Sequence, residues 1–447
     1  MIEQIVNKLK GKNLAILGMG REGKSTYQFI RTYLKEQTLT ILDKNPVVDD
    51  VLTKDDHLSL ITGAAYLDSL EDYDLIIKTP GISLKDRSIS SIKDKIISQM
   101  ELFLEVNRKN VIGITGTKGK STTSSLIYEM IKDQNKNCIL AGNIGIPIVD
   151  VLKDCDSETL FVLEMSSHQL EYLKVSPHIG LILNLFEDHL DHAGSVEHYH
   201  TIKLNMFKFQ TEEDFRIYSS SNETLALKVA QNRYLSQAYS IDLVHSTGTV
   251  YRKEKAIYFR DKKIYDTTLK RNLLGHHNLE NIVFALTVIE LLHLDLERAI
   301  RVANQFTTLA YRLESLGTFD DVTYYMSMLS TIPEATINDI EALENVNTLI
   351  FGGMDRGISY DQLIDYLKKS SIEHFICMPT TGHKIATYLP KEKVFLVETL
   401  KEAVEVAKKV TKKNTLCLLS PAASSYEQFK NYEEKGDRFR EYVIQLN

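Results

Sequence analysis

Short apolar runs alternate with longer stretches of helical composition along most of the chain. "KNLAIL" (12–17) and "TLTILD" (38–43) are branched and continuous, and they flank "GREGKSTYQFIRTYLKE", so the pattern predicts a strand, a helix and a strand. "YDLIIKTPGIS" adds a strand that ends in a Thr79-Pro80-Gly81 turn. A second series opens at Asn110 with strand "NVIGIT", helix "STTSSLIYEMIKDQ" and strands "NCILAG", "TLFVLEM" and "IGLILNL", followed by a segment rich in His and Asp. Residues 215–270 read as shorter strands with polar turns, as in "AIYFRDKKIYD", and "HNLENIVFALTVIELL" (277–292) reads as a helix. After about Phe306 the rhythm returns a third time, through "VTYYMSML", "PEATINDIEALE", "NTLIFGG", "YDQLIDYLKKS", "HFICM", "LKEAVEVAKKV" and "TLCLLS". Continuous apolar strands interleaved with helices imply parallel sheets covered on both faces. The expected fold is therefore α/β in three domains: Rossmann-like over 1–107, mononucleotide-binding over 108–307, and Rossmann-like again over 308–447.

A length of 447 residues fits that division, since one hydrophobic core seldom serves so long a chain. With 43% apolar and 25% charged residues, the profile is that of a soluble globular protein. The net charge of −7 argues against a broad basic surface, and so against a nucleic-acid partner. Cys138, Cys155, Cys377 and Cys417 form no CxxC pair, which suits reduced thiols better than a disulfide framework or a zinc cluster. The N-terminus "MIEQIVNKLKGKN" has no apolar signal core and no run of about 18 apolar residues follows, so a cytoplasmic location without a membrane partner is expected.

Two segments share the tetrapeptide GKST. From Gly18 to Ser25 the spacing GxxxxGK[ST] is met, whereas "GITGTKGKSTT" has five residues between Gly113 and Gly119. Yet Gly18, Gly20 and Gly23 also satisfy GxGxxG between a strand and a helix, and the next strand ends in Asp43, which is the dinucleotide fingerprint in its context. There the glycines let backbone N–H groups approach a diphosphate, and the acid accepts from a ribose hydroxyl. The second loop carries a different kit: Gly116 and Gly119 for a backbone nest, Lys120 for terminal phosphates, and Ser121 and Thr122 beside a metal. Such a loop needs an acid at a neighbouring strand end, and "TLFVLE" supplies Glu164. "NLFEDHLDH" offers Asp188, His189, Asp191 and His192, either as further Mg²⁺ ligands or as a solvated polar loop.

With "GITGTKGKST", "AGNIG", "LEMSSHQLE", "NLFEDHLDH", "LLGHHNLEN", "YRLE", "FGGMDRG" and "LLSPAASSYEQFKNYEEKGDRF" in this order, the chain resembles the Mur ligases, the ATP-dependent amide-bond-forming family of peptidoglycan synthesis, nearly end to end. "LGMGREG", "TPGIS" and "SPAASSYEQFKNYEEKG" are most similar to members that add D-glutamate to UDP-N-acetylmuramoyl-L-alanine. The resemblance implies those two substrates, ATP and Mg²⁺, and a monomer. It implies ATP on Gly116, Thr117, Lys118, Gly119, Lys120, Ser121 and Thr122, with Asn278, Asn281, Arg312 and Ser327 serving the nucleotide. Lys120, Glu164, His189 and Lys203 become the catalytic set, and Ser121, Glu164, His189 and carbamylated Lys203 the metal set; a surface-helix lysine is the alternative for Lys203. The UDP substrate falls to Gly20, Arg21, Glu22, Asp43, Lys44, Thr79, Gly81 and Asn143, and glutamate to Thr331, Arg356, Ser425, Tyr426 and Tyr432. Arg356 as a solvated loop residue stays open.

"YYMSMLSTIPEA" departs from the family pattern, because Ser327 stands where relatives carry a ribose-binding Asp, flanked by Met326 and Met328. A hydroxyl replaces one hydrogen bond but not a charge-assisted one, which predicts weaker ATP binding. Tyr311 stands where His is common and Lys118 where Asn is commoner. Domains meeting around two substrates imply hinge closure. Rival readings are a relative attaching another amino acid, such as L-glutamate, and a nucleotide-binding protein or dehydrogenase built on Gly18–Gly23, which leaves Lys120, Glu164, His189 and Lys203 unused.

Overall fold

A computed structural model describes residues 1–47, 52–85, 87–143, 147–186, 194–273, 275–307, 310–311, 313–343, 345–355, 359–425 and 428–445. The chain divides into two compact units, residues 1–270 with 277–304 and residues 271–276 with 305–447. Among the described residues there are three sheets.

The first unit contains two of these sheets. Five parallel strands run in the order Leu58–Thr62, Leu39–Asp43, Leu14–Leu17, Leu75–Lys78, Ile96–Ile97. Leu14–Leu17 and Leu75–Lys78 are buried along their whole length, as strands covered on both faces must be. Leu58–Thr62, at the edge, is exposed at Ser59, Leu60 and Thr62 and lacks the continuous burial of the inner strands. The second sheet runs Lys262–Asp266, Ala256–Phe259, Val250–Lys253, Gln237–Asp242, Phe215–Ser219, Ile179–Ile182, Val111–Thr115, Leu160–Glu164, Cys138–Gly142. It is parallel apart from the hairpins joining its first three strands. One continuous core joins the two sheets, running from Leu14 and Ile16 through Phe103 to Phe161 and Phe207.

The second unit holds a six-stranded sheet in the order Glu314–Phe319, Val322–Met326, Thr415–Leu419, Val346–Phe351, His374–Cys377, Val394–Leu396. Only its first pair is antiparallel. Helices pack both faces, among them Leu400–Val410, whose first turn is capped by the Thr399 hydroxyl accepting from Glu402 N. The four cysteines are unbonded, and burial pushes the Cys377 and Cys417 thiols up to about 12, which leaves them inert. No helix among the described residues is long and apolar enough to cross a membrane.

Candidate active site

Val111–Thr115 lies between Leu160–Glu164 and Ile179–Ile182, so the carboxyl ends of three parallel strands converge. Loops leaving such ends form the usual ligand crevice of an open α/β sheet. Here the first loop enters the helix Lys120–Asp133 through Gly119, which has φ +85° and whose missing Cβ would fall 2.6 Å from Asn281 Oδ1. Left-handed backbone and the amide together exclude any side chain at that position. Lys120 folds back on the loop, its Nζ donating to the Gly116 and Thr117 carbonyls at 3.0 Å each. Asn184, at the end of the next strand, braces the loop from outside. Its side chain accepts from Lys118 N at 2.9 Å and donates to the Lys118 carbonyl at 3.1 Å, while Thr117 N donates to the Asn184 carbonyl at 3.1 Å. Ser121 is buried and Thr122 half-buried in the first helical turn.

Glu164 ends the neighbouring strand and is 1% exposed. Asn143 donates to Glu164 Oε1 at 2.8 Å, but Oε2 is buried without a hydrogen-bond partner. An uncompensated carboxylate oxygen is costly, and a divalent cation shared with phosphate oxygens would complete it, so the donor set fits Mg²⁺. Lys203, from the helix Val196–Lys208, is 1% exposed, which overturns the surface-lysine alternative. Its Nζ lies 2.9 Å from the Gly116 carbonyl, 3.3 Å from Thr115 Oγ1 and 5.0 Å from the Tyr199 ring centroid. Lys120 and Lys203 therefore converge on one loop carbonyl. His189, Asp188, Asp191 and His192 lie outside the described residues, among which no group of three or more His, Cys, Asp or Glu could hold a metal. Asn281 accepts from Thr123 Oγ1 at 3.2 Å and donates to Asn278 Oδ1 at 3.3 Å, which places both buried amides beside the loop.

A second site opens where the five-stranded order reverses, between Leu14–Leu17 and Leu75–Lys78. This pocket, of about 440 Å³, has Gly20, Arg21, Glu22, Asp43, Lys44, Thr79 and Gly81 in its walls; Asn143 is not among them. Asp43 shapes the glycine turn, one carboxylate oxygen accepting from Met19 N at 2.7 Å and the other from Asn45 N at 2.8 Å. A carboxylate retains further lone pairs for a ribose hydroxyl after such bonds. Burial pushes the Glu22 carboxyl above the usual carboxylate range, against the hydrogen bond from Gln169 Nε2 at 2.7 Å and the charges of Arg21 and Lys78. Gln169 in turn accepts from Ser166 N at 3.1 Å in a capping box, two residues beyond Glu164. Burial also pushes the Lys78 ammonium down, opposed by the Glu171 carboxylate at 3.7 Å.

The geometry separates the two GKST segments. In the first, Lys24 is exposed and Ser25 is 4% exposed, its hydroxyl turned inward to donate to Asp150 Oδ1 at 2.7 Å and to accept from Gln99 Nε2 at 3.1 Å. A missing Cβ at Gly23 would fall 2.1 Å from the Gly18 carbonyl, so this glycine serves close packing of helix on loop. The hydroxyl that a phosphate-bound cation would need is thus committed elsewhere.

In the second unit, the ends of Val322–Met326, Thr415–Leu419 and Val346–Phe351 gather another set. Ser327 is 3% exposed, with N donating to the Leu419 carbonyl at 2.8 Å and its hydroxyl 3.0 Å from that of Ser330. Thr331 is half-buried nearby in the chain. Ser425 is buried with its hydroxyl unpartnered, next to the Met354 to Ser424 bridge. Tyr432 opens the helix Tyr432–Gln445 and meets the Tyr311 ring edge-on, with centroids 5.7 Å apart. Arg312, Arg356 and Tyr426 lie outside the described residues. Two participants escaped the sequence reading. Asn184 sits in a segment read for its acids, and Lys435 sits in "NYEEKG", a segment read for Tyr432.

Residues 114–289 match the Mur ligase middle domain, and residues 12–100 the MurD-like N-terminal domain of Mur ligases. Over 99% of both chains, the sequence is 31% identical to UDP-N-acetylmuramoylalanine–D-glutamate ligases of Bacillus cereus and Bacillus thuringiensis. The fold is similar to that of MurF ligase from Thermotoga maritima, solved with ADP, at TM-score 0.57 and 15% identity, covering 99% of this chain and 97% of that one. It is also similar to UDP-N-acetylmuramate-alanine ligase MurC from the same organism, at TM-score 0.58 and 18% identity, covering 98% and 100%.

Proposed function

Because the chain belongs to the Mur ligase family, we infer that its three-domain α/β fold is an ATP-dependent ligase that adds D-glutamate to UDP-N-acetylmuramoyl-L-alanine in peptidoglycan precursor synthesis. The observation that carries the site assignment is the convergence of Lys120 and Lys203 on the Gly116 carbonyl, beside a buried Glu164 oxygen that lacks a partner. The domains divide at 107/108 and 307/308. We further take the protein to act as a cytoplasmic monomer.

A carboxylate is a poor acyl donor because oxide is a poor leaving group. Transfer of the γ-phosphoryl group of ATP onto the substrate carboxylate makes an acyl phosphate and ADP; the amine of glutamate then attacks the acyl carbon, phosphate leaves and the amine's proton passes to solvent. Phosphoryl transfer depends chiefly on position and charge neutralisation. Lys120 exchanges its two loop carbonyls for terminal phosphate oxygens, and the N–H groups of 119–122 at the helix start take the rest. Glu164 and Ser121, with His189 and a carbamylated Lys203, would hold Mg²⁺, which when bound neutralises phosphate charge. Carbamylation, the addition of CO₂ to the neutral Lys203 amine with loss of a proton, would replace the cation by an anion. Asn278, Asn281, Arg312 and Ser327 serve the nucleotide. The 440 Å³ pocket receives the UDP group, its diphosphate against the start of Arg21–Tyr33, and Asn143 meets the muramoyl-alanine end. Thr331, Arg356, Ser425, Tyr426 and Tyr432 take the glutamate, an Arg clamping a carboxylate by paired hydrogen bonds.

The test is ADP release by purified protein given UDP-N-acetylmuramoyl-L-alanine, ATP, Mg²⁺ and each glutamate enantiomer. Turnover is expected with the D form, and Lys120→Ala should abolish it. No ADP release with either enantiomer would defeat the reading.

A further inference from the structure

The helix Tyr432–Gln445 carries a buried cation that the chemistry above leaves unused. Lys435 is 1% exposed, its Nζ donates to the Gly352 carbonyl at 3.0 Å, and the Phe429 ring centroid is 6.0 Å away. Among the described residues it makes no ion pair, and burial alone pushes its ammonium down to about 8. A cation held dry by one carbonyl and one ring keeps donors and charge in reserve.

The carbonyl it holds sits at a junction. Gly352 N donates to the Pro421 carbonyl at 2.9 Å, the Gly353 carbonyl accepts from Thr380 N and Thr381 N at 3.0 Å each, and Met354 N donates to the Ser424 carbonyl at 2.9 Å. A Cβ on Gly352 would fall 2.3 Å from the Met378 carbonyl, and one on Gly353 2.4 Å from that of Ser424, so the turn has no slack. One limb of this junction runs on toward residue 356, and the other ends at Ser425, whose hydroxyl is buried and unpartnered.

We propose that Lys435 is a positioning residue for the amino-acid acceptor: it fixes the 352–354 turn against 421–425 and supplies uncompensated positive potential beneath the pocket that receives the acceptor's carboxylates. This rests on the glutamate reading above and deepens it. A dianionic acceptor entering a partly dry site is drawn by a charge that no acid among the described residues cancels.

Two variants separate the roles. Lys435→Met removes donor and charge, whereas Lys435→Gln keeps a donor and removes the charge. The expected result is a KM for D-glutamate raised about tenfold or more in Lys435→Met, with the KM values for ATP and UDP-N-acetylmuramoyl-L-alanine within about twofold of the parent. Amide exchange of Met354 and Thr381 should quicken in the same variant, and Lys435→Gln should restore slow exchange but not the KM. Equal changes in all three KM values, or unchanged KM and exchange, would overturn the proposal. On the unaltered protein, ¹³Cε-lysine NMR should show one resonance titrating near 8 that moves to higher pH when D-glutamate is added with UDP-N-acetylmuramoyl-L-alanine and a non-hydrolysable ATP analogue. No movement would likewise overturn it, even if the variants fail to fold. Absence of any turnover in the parent would instead refute the glutamate reading, and exchange alone would then decide whether Lys435 holds the turn.

Discussion

Keeping Lys435 charged in a dry site costs stability, and the cost has a definite pH signature. Burial lowers its pKa from 10.5 to about 8, which is about 3 kcal/mol of penalty on the charged form. The folded state releases the proton near pH 8 and the unfolded chain near 10.5, so between those values the unfolded state binds more protons and unfolding free energy rises with pH. Below pH 8 the whole penalty is present; above 10.5 it is gone. Lys435→Met removes the penalty but leaves the Gly352 carbonyl without its donor, a loss of about 1–3 kcal/mol. At pH 7 the variant should therefore match the parent or exceed it by up to about 2 kcal/mol, and at pH 10.5 it should fall below it by about 1–3 kcal/mol. The chain contains no Trp, so urea unfolding is best followed by circular dichroism, with both proteins measured at each pH and the difference taken to cancel the other titrating groups. A difference that stays flat between pH 7 and 10.5 would refute the reasoning.

Three further outcomes follow from the site and its scaffold. Glu164→Gln should weaken the binding of ADP with Mg²⁺ about tenfold or more while leaving metal-free ADP binding unchanged, because only the cation uses the unpartnered oxygen; calorimetric titrations with and without Mg²⁺ giving the same ratio in both proteins would exclude that role. Ser327→Asp should tighten ATP several-fold by restoring a charge-assisted bond to ribose, and an unchanged equilibrium-dialysis Kd would count against the weakened ribose site. Burial pushes the Asp214 carboxyl up, but hydrogen bonds from Thr211 and His178 and the Arg108 guanidinium outweigh it and hold it below its ordinary value. That stabilisation is present above the unfolded value of 3.8 and is lost as pH falls through the lower folded one. Asp214→Asn should therefore cost about 3 kcal/mol at pH 7, with the gap closing in acid; a gap independent of pH would refute the ion-pair account.

The strands were legible wherever burial on both faces made them continuous and apolar, as in Val111–Thr115 and Val346–Phe351. The two edge strands of the first sheet were not, since Leu58–Thr62 faces solvent on alternating and adjacent positions and Ile96–Ile97 is too short to show a period. Glu164 could be placed because an acid at the end of an apolar run needs only local information. Asn184 could not, because its bond to Lys118 spans 66 residues and an amide in a loop carries no signature of its partner. Lys435 was hidden for the same reason: its neighbours in sequence are acids and polar residues, and only the packing of Phe429 and the strand end at Gly352 encloses it. In the first GKST, Ser25 fits the phosphate-loop pattern, and only a partner 125 residues away shows its hydroxyl to be occupied.

That bond from Ser25 to Asp150 is one of several rivets between the amino-terminal and central parts of the first unit, together with Gln169 to Glu22 and Lys174 Nζ to the Asp94 and Ile96 carbonyls. Separation near residue 107 would strip Glu22 and Ser25 of their partners Gln169 and Asp150 and open the shared apolar seam around Phe103 and Phe161. A separately produced amino-terminal fragment is therefore a poor surrogate for the pocket beside Gly18–Gly20. From that pocket a continuous line of hydrogen bonds runs through Glu22, Gln169 and Ser166 and ends two residues from Glu164.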